Sequence, residues 1–246
     1  MNYQSFCDDY YINVSLSTEM DLPQSRETVL HHFEQMKKHY PRMRNFFSRE
    51  RGELVLEEDK DRGDYRWTSC EVRRISSGYV NPVSVEEAFK QHALLLDIAP
   101  YTLSVSPLDC ETLSVTYGFD FTYRGNHNQL LLSALGIAPA FERLTNIPGA
   151  GVLAFDPSIQ FAVDDDCRTQ CRLSVESRTT AYHVRTREFP EEQVSVYFTT
   201  RRYGSLESGE TFVTTMQRLS EIASEIVDNH ILEHVLRPLK STIAIS

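Results

Sequence analysis

Long apolar runs are missing from this chain of 246 residues. No stretch approaches the roughly 18 consecutive apolar residues that a membrane-spanning helix needs. The first residues, from Met1 to Asp9, contain neither a basic region nor an apolar core, so they do not resemble a secretory leader. We therefore expect a soluble protein of the cytoplasm.

The cysteines and glycines lack the spacing of disulfide frameworks, zinc sites and glycine-rich phosphate-binding loops. The five cysteines have neither an even count nor disulfide-framework spacing, which indicates a reducing compartment. Cys167 and Cys171 lie four residues apart without a second pair in ligand spacing, which argues against zinc. No glycine cluster matches a dinucleotide-binding or phosphate-binding loop, and no catalytic Ser-His-Asp or Cys-His arrangement can be recognised in the sequence. We therefore expect no cofactor.

Lysine is scarce, since the chain has 5 lysines against 20 arginines. Arginine pairs with carboxylate or phosphate through two donors at once and stacks on aromatic rings. The alternative explanation is that genomic base composition sets this ratio. The formal net charge of -10 at pH 7 disfavours nonspecific binding to nucleic acid or to an anionic membrane surface.

What the chain does contain is an order of elements that occurs twice, and such repeats decide architecture. In the first copy, a strand from Tyr10 to Met20 shows period-two alternation, and a helical stripe follows near residues 29–40. A strand at 52–56 and a returning strand at 65–75 come next. A helix that begins after Ser84, with Glu87 completing a capping box, ends the copy.

The second copy repeats this order later in the chain. Strand 113–123 leads through a turn, where Asn126 and Gln129 can cap the next helix, into helix 130–144. A strand at 151–155 precedes a strand near 169–187. One extra strand, at 194–203, comes before a long closing helix.

These patterns predict an α+β protein built from tandem duplicated βαββα halves, residues 1–105 and 106–246, fused into one domain. The strand connections are of hairpin length, so the sheet is expected to be twisted and mainly antiparallel. Antiparallel sheets commonly cover one face with helices and leave the other face polar. We expect a concave open face of that kind.

The outward residues of the predicted strands are rich in hydroxyl groups, tyrosine and arginine. Binding surfaces favour tyrosine and arginine, although threonine and tyrosine also suit strands for their own reasons. The candidate ligand-binding residues are Glu71, Arg73, His127, Arg172, Glu176, Arg178, Tyr182, Tyr197 and Arg201. Two sets, Glu71 with Arg73 and Glu176 with Arg178, are expected to form pseudo-symmetric ion pairs across strands.

His127 stands apart from the other candidates because it lies at a predicted strand-to-helix turn. Backbone N–H groups at a helix start point outward and favour an anion. Together with Arg124, His127 is a candidate contact for phosphate or carboxylate. The alternative is a polar capping turn without a ligand.

His230, Glu233 and His234 match the inverted zincin pattern, in which two histidines bind zinc and the glutamate acts as general base. No Asp or Glu follows His234, so the chain offers no downstream acidic ligand. The motif fits the exposed side of an amphipathic closing helix more simply. We expect no metal site, and a zinc-dependent hydrolase is the weakest functional alternative.

The twofold strand-helix-strand-strand order, the long closing helix, and the turn and helix from Tyr123 to Leu135 carry a family resemblance. In this layout the chain resembles a sporadically distributed group of uncharacterised bacterial proteins of about this size. The resemblance implies the same duplicated fold. It implies no activity, because the group carries no established one.

The leading functional prediction is a noncatalytic binding or assembly module that uses the open polar face. Its partner would be a small anionic ligand, a protein or a second copy of the chain, and not nucleic acid or a membrane. The alternative is an enzyme acting on a small anionic substrate. In that case Arg178, Arg201 and Tyr182 would bind the substrate, and His127 or Glu176 would serve as acid or base.

Overall fold

The computed structural model describes residues 3–49 and 52–245, and within these ranges nine strands form one sheet. The strands are β1 (Asp9–Thr18), β2 (Asn45–Ser48), β3 (Leu54–Glu57), β4 (Tyr65–Cys70), β5 (Arg74–Val80), β6 (Cys110–Arg124), β7 (Ser158–Ala162), β8 (Thr169–Glu176) and β9 (Glu191–Tyr203). The helices are α1 (Arg26–His39), α2 (Val85–Thr102), α3 (His127–Leu135), α4 (Pro139–Thr145), α5 (Ala181–Thr186), α6 (Phe212–Ile226) and α7 (Arg237–Ile245).

The strands lie in the order β2-β3-β4-β5-β1-β6-β9-β8-β7, and every neighbouring pair is antiparallel. Strands from residues 1–105 therefore occupy one side of the sheet, and strands from 106–246 occupy the other. β1 and β6 pair where the two halves of the chain meet. The predicted α+β class and antiparallel sheet are confirmed, whereas the duplication stays a prediction.

Period-two alternation gives β1 and β6 one apolar side each, and helices cover that side. α2 contacts β1 and β5, and α6 contacts β6 and β9. The fully buried side chains of the two central strands are Tyr10, Ile12, Val14 and Leu16 on β1 and Leu113, Val115, Tyr117 and Phe119 on β6. Burying each of them stabilises the fold by roughly 1.5–3 kcal/mol, so this layer anchors the sheet to its helices.

The predicted helix starts at Ser84 and Asn126 are confirmed. The Ser84 hydroxyl accepts a hydrogen bond from the backbone N–H of Glu87 at 3.3 Å. The Asn126 side chain accepts from the N–H groups of Asn128 and Gln129 at 3.0 and 3.3 Å. Each cap satisfies N–H groups that have no partner within the helix, which places α2 and α3 at defined positions.

The predicted single strand at 65–75 is wrong, because the chain reverses at Glu71. β4 ends at Cys70 and β5 begins at Arg74, and the Glu71 N–H donates to the Arg74 carbonyl at 2.7 Å. The Glu71 carboxylate binds Arg74 at 2.6 Å, and Arg73 binds Asp21 at 2.6 Å. The predicted pairing of Glu71 with Arg73 across strands is therefore wrong as well.

The predicted strand near 169–187 ends early, at Glu176, and α5 follows it. The Thr180 hydroxyl accepts from the His183 N–H at 3.4 Å, so Thr180 begins a helix within the residues that were predicted as strand. Tyr182 consequently lies exposed on α5 and not on a strand.

The predicted helix 130–144 is two helices. α3 ends at Gly136, whose φ of 72° suits glycine, and Pro139 opens α4. The predicted strand 151–155 is a loop, and β7 begins only at Ser158. Four strands separate α1 from α2, where two were predicted, whereas the three strands between α4 and α6 agree in number with the predicted second half and its extra strand.

The closing helical run joins α6 to α7 through a π-helical segment, Val227–Leu236. The Tyr3 hydroxyl donates to the Asp228 carboxylate of this segment at 2.7 Å and ties the beginning of the described chain to it. No helix in the described part of the chain combines the length and apolar character that crossing a bilayer requires.

Candidate functional site

The open face is the side of the sheet opposite α2 and α6. Strand register aligns its side chains in rows that cross β1, β6, β9 and β8 in that order. Neighbours within a row have Cβ atoms about 5 Å apart. The three rows that form the site are Asp9, Asp120, Ser195 and Glu176; then Tyr11, Gly118, Tyr197 and Ser174; then Asn13, Thr116, Thr199 and Arg172.

Two tyrosines meet above Gly118 in the middle row. Tyr11 and Tyr197 flank this glycine, and their ring centroids are 6.4 Å apart. A Cβ atom at Gly118 would lie 2.1 Å from the Tyr11 ring, so only glycine admits the ring there. Burial, with the nearby Asp120 charge, raises the pKa of Tyr11. Tyr197 lines a hollow on one side of this pair, and Tyr11 lines another on the other side.

The arginine hollow is a cavity of about 280 Å³ over β8 and β9. Its polar lining consists of Thr116, Gln160, Gln170, Arg172, Ser174, Glu176, Tyr197, Thr199, Arg201 and Tyr203. The hydroxyls of Thr116 and Thr199 lie 2.9 Å apart on adjacent strands. Hydroxyl, amide and guanidinium groups therefore converge on one small space.

The two arginines of this hollow bind neutral partners. Arg172 Nε donates to the Ser158 hydroxyl at 3.2 Å, and Arg201 Nη1 donates to the Tyr203 hydroxyl at 3.2 Å. Neither guanidinium forms an ion pair with any carboxylate in the described part of the chain, and the buried Nε of Arg201 has no acceptor there. An unpaired buried donor is costly, so the hollow favours an acceptor supplied from outside.

Arg178 lies between the two hollows. Its Nη2 donates to the Ser195 hydroxyl at 3.2 Å, and its Nη1 lies 3.8 Å from the Glu176 carboxylate. Ser195 in turn is hydrogen-bonded to the Asp120 carboxylate. Burial raises the pKa of Asp120, while the Ser195 hydrogen bond and the Arg178 charge act in the opposite direction.

The aromatic hollow, of about 390 Å³, lies on the β4 and β5 side of Tyr11. Its aromatic and polar walls are Tyr11, Tyr65, Trp67, Asn13, Asp9, Asp120, Lys60 and Gln193. Trp67 is the single tryptophan of the chain, and its ring covers Gly78, where a Cβ atom would lie 2.2 Å from the indole nitrogen. This hollow therefore combines ring faces with acidic groups.

The structure brings together part of the predicted residue set. Arg172, Glu176, Tyr197 and Arg201 all line the arginine hollow, and Arg178 reaches its edge through Glu176. The other predicted residues lie elsewhere, with Glu71 and Arg73 in the turn between β4 and β5, Tyr182 on α5, and His127 on α3.

His127 is buried, and both of its ring nitrogens have partners within the protein. It is 1% exposed, its Nδ1 accepts from the backbone N–H of Arg178 at 3.1 Å, and its Nε2 donates to the Tyr123 carbonyl at 3.3 Å. Burial lowers the pKa of His127, which agrees with a neutral ring. Nδ1 thus holds the loop after β8 against the start of α3, and Nε2 bonds the end of β6, so the predicted ligand-binding role of His127 stays a prediction.

The zinc-like motif lies in the π-helical segment of the closing helical run. His230, Glu233 and His234 are exposed, and Glu233 pairs with Arg237 at 3.0 Å. Across residues 3–49 and 52–245, no cluster of three His, Cys, Asp or Glu side chains has metal-binding geometry. We therefore do not propose a zinc site at this motif.

Sequence reasoning missed Gln160 and Gln170 in the arginine hollow. Gln160 lies on β7, which the pattern of apolar residues did not reveal because every β7 residue is exposed. Alternation along β6 and β4 puts Asp120 and Trp67 at outward positions, but nothing local marks them as neighbours of a site. The missing signal is strand register, which joins residues that are far apart in the chain.

In the comparisons with known proteins, no protein-family model and no curated protein matches this chain. The resemblance to a group of bacterial proteins therefore stays a prediction.

Proposed function

We propose that the protein binds a small ligand with carboxylate or phosphate groups in the arginine hollow and does so without catalysing a reaction. One observation carries this proposal. Arg172 and Arg201 line the same hollow of a chain whose net charge is -10, yet neither forms an ion pair among the described residues. Two like charges placed together are stabilised by an anion between them.

The size and lining of the hollow support a small polar ligand. A volume of about 280 Å³ is near the lower end of ordinary small-molecule sites, which begin at roughly 300 Å³. Guanidinium groups match carboxylate and phosphate oxygens through paired N–H donors. The hydroxyls of Thr116, Thr199 and Ser174 add neutral partners for the remaining oxygens of such a ligand.

Binding without catalysis agrees with the state of the reactive groups nearby. Burial raises the pKa of Cys171 to about 11, so this thiol is protonated near neutral pH and a poor nucleophile. His127, one proposed acid or base of the enzyme alternative, has both ring nitrogens engaged. Glu176, the other candidate, faces Arg178.

Isothermal titration calorimetry with inorganic phosphate and with succinate, in a buffer free of other oxyanions, tests the proposal. We expect saturable binding by the unmodified protein. Arg201→Gln and Arg172→Gln should each weaken the affinity about tenfold or more, because a hydrogen bond to a charged group contributes roughly 1.5–3 kcal/mol.

The matched control is Arg143→Gln, which makes the same charge change on exposed α4. This control should leave the affinity unchanged. The proposal is wrong if both phosphate and succinate fail to bind the unmodified protein. It is also wrong if Arg143→Gln weakens binding as much as Arg201→Gln does.

Assembly of two copies through the open face is the competing prediction, and the variant Tyr197→Glu distinguishes it from anion binding. A second copy seated on this face would cover Tyr197 and close the arginine hollow. If assembly is the role of the face, Tyr197→Glu should lower the mass measured by light scattering, and anions should not bind the assembled form. For a ligand site, Tyr197→Glu should instead weaken anion binding at an unchanged mass, because it adds a negative charge.

A further inference from the structure

The end of the open face near the aromatic hollow has more hydrogen-bond acceptors than donors. Asp9 and Asp120 lie directly opposite each other on β1 and β6, and like charges in that position destabilise a strand pair. Asp9 is partly compensated, because Asn81 Nδ2 donates to it at 2.6 Å. Asp120 is only 9% exposed, and its Oδ1 accepts no hydrogen bond from any described residue.

Charges from neighbouring elements do not remove this excess. Arg178 donates to the Ser195 hydroxyl and not to Asp120, so its charge acts on Asp120 without a direct hydrogen bond, and Asp8 adds a further negative charge nearby. Across the same hollow, the Asn13 Oδ1 is also buried without a donor in the described part of the chain. Buried acceptors without donors are costly, so both positions favour a molecule that supplies N–H groups.

The walls beside these acceptors are aromatic. Tyr65 and Trp67 line the hollow together with Tyr11, and Lys60, which also lines it, already places one cation against Tyr65. The Lys60 ammonium group lies 5.4 Å from the centre of the Tyr65 ring and 3.2 Å from the Glu57 carboxylate. Aromatic faces next to carboxylates form the usual environment for an organic cation.

We propose that the aromatic hollow binds an organic ammonium group, with the charged nitrogen at Asp120 and Asp9 and the apolar part against Trp67 and Tyr11. A primary amine supplies both the positive charge and the N–H donors that these carboxylates lack. A metal ion fits less well, because no metal-holding cluster of three side chains occurs among the described residues. The site is separate from the arginine hollow and does not depend on anion binding there.

The single tryptophan makes the test direct, because Trp67 lines the hollow and its fluorescence reports from no other place. The probe is butylammonium chloride, compared with potassium chloride at equal ionic strength and with 1-butanol as the uncharged analogue. We expect a saturable change in Trp67 emission with butylammonium. Potassium chloride should give no such change, and 1-butanol should bind about tenfold more weakly or not at all.

Asp120→Asn removes the charge at nearly constant volume and should weaken butylammonium binding about tenfold or more. The control, Asp165→Asn, makes the same change in the exposed turn between β7 and β8 and should bind like the unmodified protein. Arg201→Gln should also bind butylammonium normally, which separates this site from the anion site. If circular dichroism shows that Asp120→Asn is unfolded, the comparison of butylammonium with 1-butanol decides. Equal binding of 1-butanol, or undiminished binding by folded Asp120→Asn, overturns the proposal.

Discussion

Two glycines determine where the large aromatic rings of the open face lie. Gly118 lies opposite Tyr11 and Gly78 lies opposite Trp67, so each ring covers a position without a side chain. Aromatic residues commonly pack over strand glycines in this way. The aromatic hollow depends on these contacts because Tyr11 and Trp67 both line it, and Tyr11 also packs beside Tyr197 of the arginine hollow.

Gly118→Ala should therefore destabilise the protein. The added Cβ would overlap the Tyr11 ring at 2.1 Å, and overpacking of this kind costs about 1–3 kcal/mol. Urea unfolding measures the loss. Gly151→Ala is the control, since its Cβ would meet only Val184 at an ordinary 3.5 Å, and we expect a change within about 0.5 kcal/mol. Equal losses in the two variants would contradict the role of the ring contact.

Helices α1 and α2 are held in place by buried neutral histidines. His92 of α2 donates from Nε2 to the Ile12 carbonyl of β1 at 3.1 Å, and its Nδ1 accepts from the Ser77 hydroxyl at 3.0 Å. His32 of α1 bonds the Thr102 hydroxyl of α2 at 2.7 Å. Burial lowers the pKa of His92 to about 3 and that of His32 to about 4.

These histidines predict a loss of stability in mild acid. The unfolded chain takes up protons near its ordinary histidine pKa of 6.5, whereas the folded chain does not until far lower pH. Their contribution is therefore complete above about pH 6.5 and is lost as the pH falls towards 4, at up to roughly 1.4 kcal/mol per pH unit for each histidine.

Urea unfolding at several pH values measures this slope, and His92→Gln should make it shallower. The same variant should lose about 1–3 kcal/mol at neutral pH, because it breaks the bond to Ile12. His230→Gln, at an exposed position of the π-helical segment, should keep the slope of the unmodified protein. A slope in His92→Gln that equals that of His230→Gln would refute the assignment.

One continuous hydrophobic core joins both halves of the chain. One cluster of buried apolar side chains includes residues of β1 and α2 as well as residues of β6, β9 and α6. The β1–β6 pairing connects the halves through the middle of the sheet. The two hollows of the open face also differ in charge, since two arginines and one carboxylate line one, whereas two carboxylates and one lysine line the other.

We expect the two halves to unfold together. Differential scanning calorimetry should show one transition whose calorimetric and van't Hoff enthalpies agree. Leu113→Ala, which removes a fully buried side chain of β6 opposite Leu16, should lower the stability by roughly 2–5 kcal/mol and move that transition without splitting it. Two separate transitions in either protein would show that residues 1–105 and 106–246 are independent units.

Local sequence patterns were sufficient to predict part of this structure. The alternation in β1 and β6 assigned their buried and open sides, and Ser84 and Asn126 marked the starts of α2 and α3. These features depend on neighbours within a few residues, so the chain order alone reveals them. The turn at Glu71 escaped prediction because it contains no glycine or proline, and α5 escaped because its cap, Thr180, also suits a strand.

The pairing of strands that are far apart in the chain determines which residues line the two hollows. Asp9 faces Asp120, and Thr116 lies in one row with Arg172, because β1, β6, β9 and β8 are neighbours in the sheet. A shift of one residue in any of these pairings would turn the same side chains towards the helices. Alternation along the sequence could therefore say which residues face outward. Which of them meet depends on contacts between segments far apart in the chain.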